Sequence, residues 1–553
     1  MFHSNKISYF ILGGAVKKIF SSLSSIFLAL ILIFAPKSFA EENKQNPDWD
    51  EEIIYMIMTD RFFDGDESNN NPANVEGAFD KDHLEAYHGG DFKGIIEKIP
   101  YLKDLGITTL WITPIVKNID ANMMADKGGK QFAYHGYWAE DFTKLDPHLG
   151  TEDDFKDLID ALHDNGIKLM VDVVINHSGY GTKNQGPFAG MHREKSGAGD
   201  IETELAGLPD FKTEDKDVRD KIIAWQVAWL KDFKTSKGGG IDYFRVDTVK
   251  HVDVDTMKDF KTEALKAKPD IKMIGENFGA SVFKDGGYLD PSMMDSLLDF
   301  EFKDLAKDFV RGKISETESK LEKRNAEISK DRQMGQFLSS HDEDGFLKVR
   351  LGGDVGKFLV ASSLQLTAKG QPVIYYGEEI GQSGKKDNFD KGIFSENRYD
   401  LDWSKTENNP ILDHYKKLIA IRKAYPEIFA RGDRKNLYKD DSVSVFARSL
   451  GDKELIIGLN TSDEEKTISF DLKSNEDLYD LYNQENVKIS GNKVTLKIPS
   501  RDNGGTAILA QESTVPENLK AKATSSPNLY WLFGLSLVIL IIIIVLRRKK
   551  QEK

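Results

Sequence analysis

The sequence predicts an α/β fold: a (β/α)8 TIM barrel with a small subdomain inserted after strand 3, followed by a C-terminal antiparallel β-sandwich domain. From 49 to about 430, amphipathic helical patterns alternate with short apolar runs, the pattern of a parallel sheet wrapped by helices. Repetition over that length suits an eight-fold barrel with insertions, and a doubly wound sheet is the runner-up on pattern alone. Three acids, Asp247, Glu276 and Asp342, each follow a β-rich apolar run. A parallel barrel gathers the carboxyl ends of its strands at one mouth, so acids distant in sequence can share one substrate there.

The elements follow in chain order. The first 40 residues hold Lys6, Lys17 and Lys18 with no acid, an apolar run over 26–34, and Ser38-Phe39-Ala40 ahead of Glu41, which reads as a secretory signal over 1–40. The barrel is expected over 41–430. Ile95, Ile96, Ile99, Leu102 and Leu105 recur at helical spacing, Gly106 stops that helix, and 107–112 follows as a strand. Thr151, with Asp154 three residues on, caps a second helix carried by Phe155, Leu158, Ile159 and Leu162; Asn165-Gly166 ends it and 167–174 is a strand. The same order recurs at 358–368, Gly370 and 372–376.

Between the strand ending at Asn176-His177 and a helix near 218–233 lies a polar, glycine-rich stretch. It is too long for an ordinary connection, and a subdomain over 178–212 is expected to cover the mouth. From 431 to 512 period-two runs such as 442–447 and 455–459 read as the separate antiparallel β domain. Residues 513–529, rich in Ser, Thr, Pro, Ala and Lys, form a linker. The apolar stretch 530–546 is about the minimum for one transmembrane helix, and Arg547, Arg548, Lys549 and Lys550 place the tail 547–553 in the cytoplasm. The expected location is therefore secreted and cell-surface, with the body outside the plasma membrane on a C-terminal anchor.

Composition narrows the chemistry. Cysteine is absent, which excludes disulfides and thiolate metal sites. The formal charge of −15 becomes roughly −23 once leader and tail are set aside, a surface that disfavours nucleic acid and anionic membranes as partners. Neutral substrates remain open, and a monomer is expected.

In 240–247 side chains alternate, so Arg245 and Asp247 point to one side, where a guanidinium favours an ionised, nucleophilic carboxylate. An ordinary ion pair is the alternative. Ile274-Gly275-Glu276-Asn277 ends another strand with an acid, and an acid beside an ionised carboxylate roughly 5 Å away is the arrangement of retaining glycosidases. Ser339-Ser340-His341-Asp342 and the segment from Asp172 to His177 add further acids and histidines, each of which could equally be a satisfied buried side chain.

Taken together, Asp-Val-Val-Ile-Asn-His, Phe-Arg-Val-Asp-Thr-Val-Lys-His, Ile-Gly-Glu-Asn and Phe-Leu-Ser-Ser-His-Asp resemble, in order and spacing, the signature segments of the α-amylase family, glycoside hydrolase family 13. Segments 106–114, 134–138, 208–211 and 370–379 extend the likeness, which covers about 49–510. The resemblance implies Asp247 as nucleophile, Glu276 as general acid and base, and Asp342 as the third carboxylate, holding sugar hydroxyls. It implies Arg245, His177 and His341 orienting the nucleophile and binding the sugar, His135 and Tyr137 at the same subsite, and Lys250 with His251 on the leaving-group side. It also implies calcium: Asn176, Asp210 and the His251 carbonyl at one site, and Asp64, Asp66, Asn69, Asn70, Gly89 and Asp91 at a second, all hard oxygen donors.

Two departures stand out. Ser340 stands where the family usually has Asn. The chain also lacks the additional C-terminal domains of the cyclodextrin-forming enzymes, which argues against cyclisation. The implied activity is a surface-anchored α-amylase cleaving α-1,4 bonds of starch, glycogen or maltodextrins through a covalent glycosyl-enzyme. The alternatives are a transglycosylating or maltodextrin- and cyclodextrin-degrading member of the family, and a non-catalytic glucan-binding surface protein.

Overall fold

A computed structural model describes residues 47–385, 396–472 and 476–521. The leader 1–40, most of the linker, the apolar stretch 530–546 and the basic tail lie outside the described residues. Within them no helix is long and apolar enough to cross a membrane.

Eight parallel strands close a barrel: β1 (Ile54–Ile57), β2 (Thr109–Ile112), β3 (Lys168–Val173), β4 (Tyr243–Val246), β5 (Lys272–Gly275), β6 (Ser296–Asp299), β7 (Gln333–Gln336) and β8 (Gln371–Tyr375). Each strand pairs with its sequence neighbour, and β8 returns to β1 with Ile54 opposite Val373. Nearly every strand position is buried, because one face fills the barrel and the other lies under helices. That double burial explains why the strands read as continuous apolar runs.

The helices start and stop where the local chemistry directs. Helix Phe92–Leu105 begins on the Asp91 carboxylate, which accepts the Gly94 N–H, and ends on Gly106 at φ 91°, a left-handed position that suits glycine. Helix Glu152–Asp164 carries the expected capping box between Thr151 and Asp154. The run at 335–342 is less extended than expected: β7 stops at Gln336, and Asp342 reaches the mouth on the following loop.

Two excursions rise above the carboxyl ends of the strands. After β2 a short antiparallel pair, Val116–Asn118 with Ala139–Leu145, brings the intervening segment with Tyr134 to Trp138 to the mouth. After β3 the inserted segment carries Tyr180, the four-residue helix Gly199–Glu202 and Leu208 ahead of helix Lys216–Asp232. The C-terminal domain is antiparallel, with a six-stranded and a three-stranded sheet enclosing Val443, Val445, Ile456, Phe470, Leu496 and Ile498. It grips the barrel through arginine: Arg434 pairs with Glu318 at 2.7 Å, and buried Arg448 donates to the carbonyls of Thr367, Ile428, Phe429 and Gly432.

Just beyond β8 two consecutive acids are buried. Glu379 accepts the Tyr55 and Tyr101 hydroxyls at 2.7 and 2.6 Å, and Glu378 accepts from Ser339. Burial pushes the Glu378 carboxyl up to about 8. A raised acid favours the protonated native state, so this contribution is fully present below the unfolded value of 4.5 and is lost as pH rises through about 8. Glu378→Gln is therefore expected to raise the Tm relative to the parent by an amount that grows from pH 5 to pH 9; a pH-independent difference in thermal melts would contradict this.

Candidate active site

The site is assembled on the ends of β3, β4 and β5. Period-two alternation puts Arg245 and Asp247 on the same side of β4, and parallel pairing sets Asp172 of β3 opposite Arg245. One guanidinium then meets three carboxylates. Arg245 Nη1 donates to Asp247 Oδ1 at 2.7 Å and to both Asp172 oxygens at 2.9 and 3.0 Å, while Nη2 lies 3.0 Å from Glu276 Oε2. Glu276 Oε2 also accepts the Thr248 N–H at 3.1 Å. Asp247 and Glu276, 29 positions apart, are thereby fixed within the span of a single side chain.

All of these groups are buried, and burial sets their protonation. It pushes Glu276 up to about 7, with Arg245 opposing and Asp247 and Asp342 reinforcing the rise. Asp172 is pushed up to about 6 by burial against the opposing pull of Arg245. Asp247 is a correction to the sequence reading: the expected guanidinium contact is present, yet burial outweighs it and the carboxyl moves upward. Burial likewise takes His177 down to about 4 and His135 well below its ordinary value, so both imidazoles are neutral.

The third acid is held from the opposite side. Asp342 accepts from Arg398 Nη2 at 2.9 Å and sits 2.9 Å from His341 Nε2. Tyr137 links the two halves: its hydroxyl donates to Asp172 Oδ2 at 2.7 Å, lies 3.0 Å from His341 Nε2, and its ring stacks on His341 at an interplanar angle of 4°. His135 Nδ1 accepts the Tyr137 N–H and fixes that turn. Ser340 retains a local role, since its hydroxyl accepts the Asp342 N–H.

Asp247, Glu276, Asp342, His135, Tyr137, His177, Lys250, His251 and Arg398 all line one cavity of about 380 Å³, whose apolar wall comes from Trp138, Tyr180, Leu205 and Leu208. Sequence reasoning missed Arg398, because 56 residues separate it from Asp342 and no local pattern marks it. It named Asp172 without a role; its position opposite Arg245 in the register was the available signal.

The implied metal residues fall into two groups. In the loop after β1, the Asp64, Asn69 and Asn70 Oδ1 atoms are all buried without a hydrogen-bond partner. Asp91 is buried beside them, accepting from Asn69 Nδ2 and the Asp66 N–H. A Cβ at Gly89 would lie 2.2 Å from Asn70 Oδ1, so only glycine lets the main chain come so close. Three orphaned acceptors in a glycine-framed loop fit a hard cation. At the other site, the Phe211 N–H donates to the Asn176 carbonyl and His177 pairs with Asp210, which brings Asn176 near Asp210, and Asp210 Oδ1 is buried and unpartnered. Its other oxygen, however, already accepts from Arg193 Nε at 2.6 Å, and the His251 ring bonds the Asp200 carbonyl. Among the described residues a further acidic cluster, Asp48, Asp50 and Glu51, is instead paired with Arg431.

Arg245→Met would leave three buried carboxylates without their shared counter-ion. The expected loss is about 3–5 kcal/mol of stability in urea unfolding at neutral pH. A loss below about 1 kcal/mol would mean that the acids relax into water.

Comparison with known proteins supplies the remaining observations. Residues 56–196 and 193–402 match the model of the alpha amylase catalytic domain, and 432–504 that of the alpha-amylase C-terminal domain. A beta/alpha-amylase of Paenibacillus polymyxa is 30% identical over 83% of this chain, which spans only 38% of that relative. A cyclomaltodextrinase of Thermoanaerobacter pseudethanolicus is 30% identical over 82% of this chain and 77% of its own length. The crystal structure of a cyclomaltodextrin glucanotransferase with a three-domain ABC distribution superposes with a TM-score of 0.70 at 25% identity, over 83% of this chain and 98% of that one.

Proposed function

Because the chain belongs to the α-amylase family, and is thus a glycoside hydrolase, we propose that it cleaves α-1,4 bonds of short maltodextrins and cyclodextrins with retention, and transfers glycosyl units to sugar acceptors. The observation that carries the chemistry is the single guanidinium holding Asp247 and Glu276 together. Two carboxyls sharing one guanidinium support the direct-attack arrangement, with a separation of about 5 Å, over one with an intervening water.

In this reading Asp247 attacks the anomeric carbon. Glu276, whose raised value of about 7 keeps a large protonated fraction near neutral pH, gives its proton to the glycosidic oxygen as the C–O bond breaks, and the sugar on the leaving side departs neutral. Glu276, now a carboxylate, takes a proton from water or from an acceptor hydroxyl, which displaces Asp247. Two inversions give net retention. In the same reading Asp342, held by Arg398 and His341, accepts hydroxyls of the ring being cleaved.

The choice of short and cyclic glucans over starch is supported by relatives bearing the names cyclomaltodextrinase and cyclomaltodextrin glucanotransferase. A cyclomaltodextrin glucanotransferase with a three-domain ABC distribution also weakens the argument from domain number against cyclisation. An α-amylase acting on long glucans is the second reading, favoured by the family model and the beta/alpha-amylase relative. The leader and the apolar stretch 530–546 support anchoring at the cell surface.

Time-resolved chromatography of products from β-cyclodextrin, maltotriose and amylose separates the readings. Faster turnover of the first two, with products longer than the substrate, is expected; preference for amylose without transfer products would favour the α-amylase. Asp247→Asn is expected to lower kcat by at least ~10⁴-fold while retaining glucan binding, and appreciable residual turnover would remove Asp247 from the nucleophile role.

We further propose Ca²⁺ in the Asp64–Asp91 loop, held by Asp64, Asn69, Asn70, the Gly89 carbonyl and Asp91, with Asp66 at the rim. Its role there is structural, tying the loop after β1 to the helix that Asp91 caps. A second Ca²⁺ at Asn176, Asp210 and the His251 carbonyl would have to share Asp210 with Arg193. A metal bound only by the native state raises stability by mass action. EDTA should therefore lower the Tm, calcium should restore it, and Asn70→Ala should abolish the difference; an unchanged Tm in EDTA would refute the loop site.

A further inference from the structure

A second cavity of about 720 Å³ adjoins the active-site cavity, and Lys250 and Phe278 line both. Beyond that divide the walls come from the inserted segment, at Gly199 to Glu202, and from the loop after β5, with Lys284 and Tyr288. The four-residue helix Gly199–Glu202 lies over the 3-10 turn Val249–His251, and one residue makes both bonds across. The Asp200 carboxylate is 3.4 Å from Lys250 Nζ, and the Asp200 carbonyl accepts from His251 Nδ1 at 2.6 Å. The turn beneath is strained at its entrance, where Thr248 adopts φ 50°, a left-handed conformation costly for a β-branched residue. Such a turn keeps its shape only when its surroundings over-determine it. Asp200 is part of those surroundings and reaches no reacting atom itself.

We propose that Asp200 is a positioning residue for the leaving side of the site. It aims Lys250 and His251 at the sugar beyond the cleaved bond and thereby sets how well an oligosaccharide competes with water as acceptor. The assignment rests on the function proposed above. Because the Asp200 side chain is 62% exposed, its pairing with Lys250 is screened and its effect is a small factor rather than an all-or-none one.

The full chain and the variants Asp200→Ala, Asp200→Asn and Asp200→Glu are assayed on two substrates, 4-nitrophenyl α-maltoside, which has no sugar beyond the cleaved bond, and maltotriose, with maltose as added acceptor. Asp200→Ala is expected to lower kcat/KM on maltotriose, and the transfer-to-hydrolysis ratio, about three- to tenfold more than kcat/KM on the aryl glycoside. The effect should lie mainly in KM, and Asp200→Glu should recover part of it. All three variants keep the main-chain carbonyl that His251 bonds, so they isolate the carboxylate, and Asp200→Asn, which keeps a polar side chain of the same size without the charge, should fall between. Equal losses on both substrates, or no loss on either, would overturn the assignment. A parent chain inert on both substrates would overturn the functional reading itself, which separates the two failures.

Discussion

The site depends on one constraint: a single buried cation, Arg245, faces Asp172, Asp247 and Glu276 at once. One positive charge cannot neutralise three carboxylates in a medium that solvates charge poorly, so a proton must reside among them. It resides more firmly on Glu276, pushed up to about 7, than on Asp172, pushed up to about 6. The acid-base asymmetry that glycoside cleavage needs is thus a by-product of charge balance. The same constraint fixes geometry, because the guanidinium is planar and its two terminal nitrogens present Asp247 and Glu276 side by side.

Around that centre the barrel supplies rigidity and the excursions supply shape. The register of β3 against β4 places Asp172 opposite Arg245 without any loop. The pair of strands after β2 delivers Tyr137, whose hydroxyl and ring connect Asp172 to His341. The insert after β3 brings Tyr180, Leu205 and Leu208 to the wall and sets Asp200 over the turn that carries Lys250 and His251. Packing therefore fixes the chemistry, while the irregular segments carry the choice of substrate and acceptor.

Much of this was legible in the sequence. Caps such as Thr151 with Asp154, the glycine stop at Gly106 and apolar runs matched to doubly buried strands are local signals, and local signals survive in a linear reading. The alternation that put Arg245 beside Asp247 held for the same reason. What depended on long-range juxtaposition did not come through. Arg398 reaches Asp342 across 56 residues, and the rise of Asp247 follows from burial that no neighbour in sequence announces. The loop around Asp342 shows the intermediate case, in which the apolar run was correct and its extent was not.

The buried arginines between barrel and C-terminal domain bear on how this chain can be divided. Arg422, from the barrel's last long helix, takes the carbonyls of Leu366, Ala368 and Gly370, and Arg448, from the β domain, takes that of Thr367 between them. The turn that launches β8 is thus finished by donors from both sides of residue 431. A polypeptide released at that point would expose an acceptor-rich seam under the final barrel strand. Recombination or truncation at this junction would then yield fragments that need each other to fold, and the exchangeable unit in evolution is the pair rather than either part.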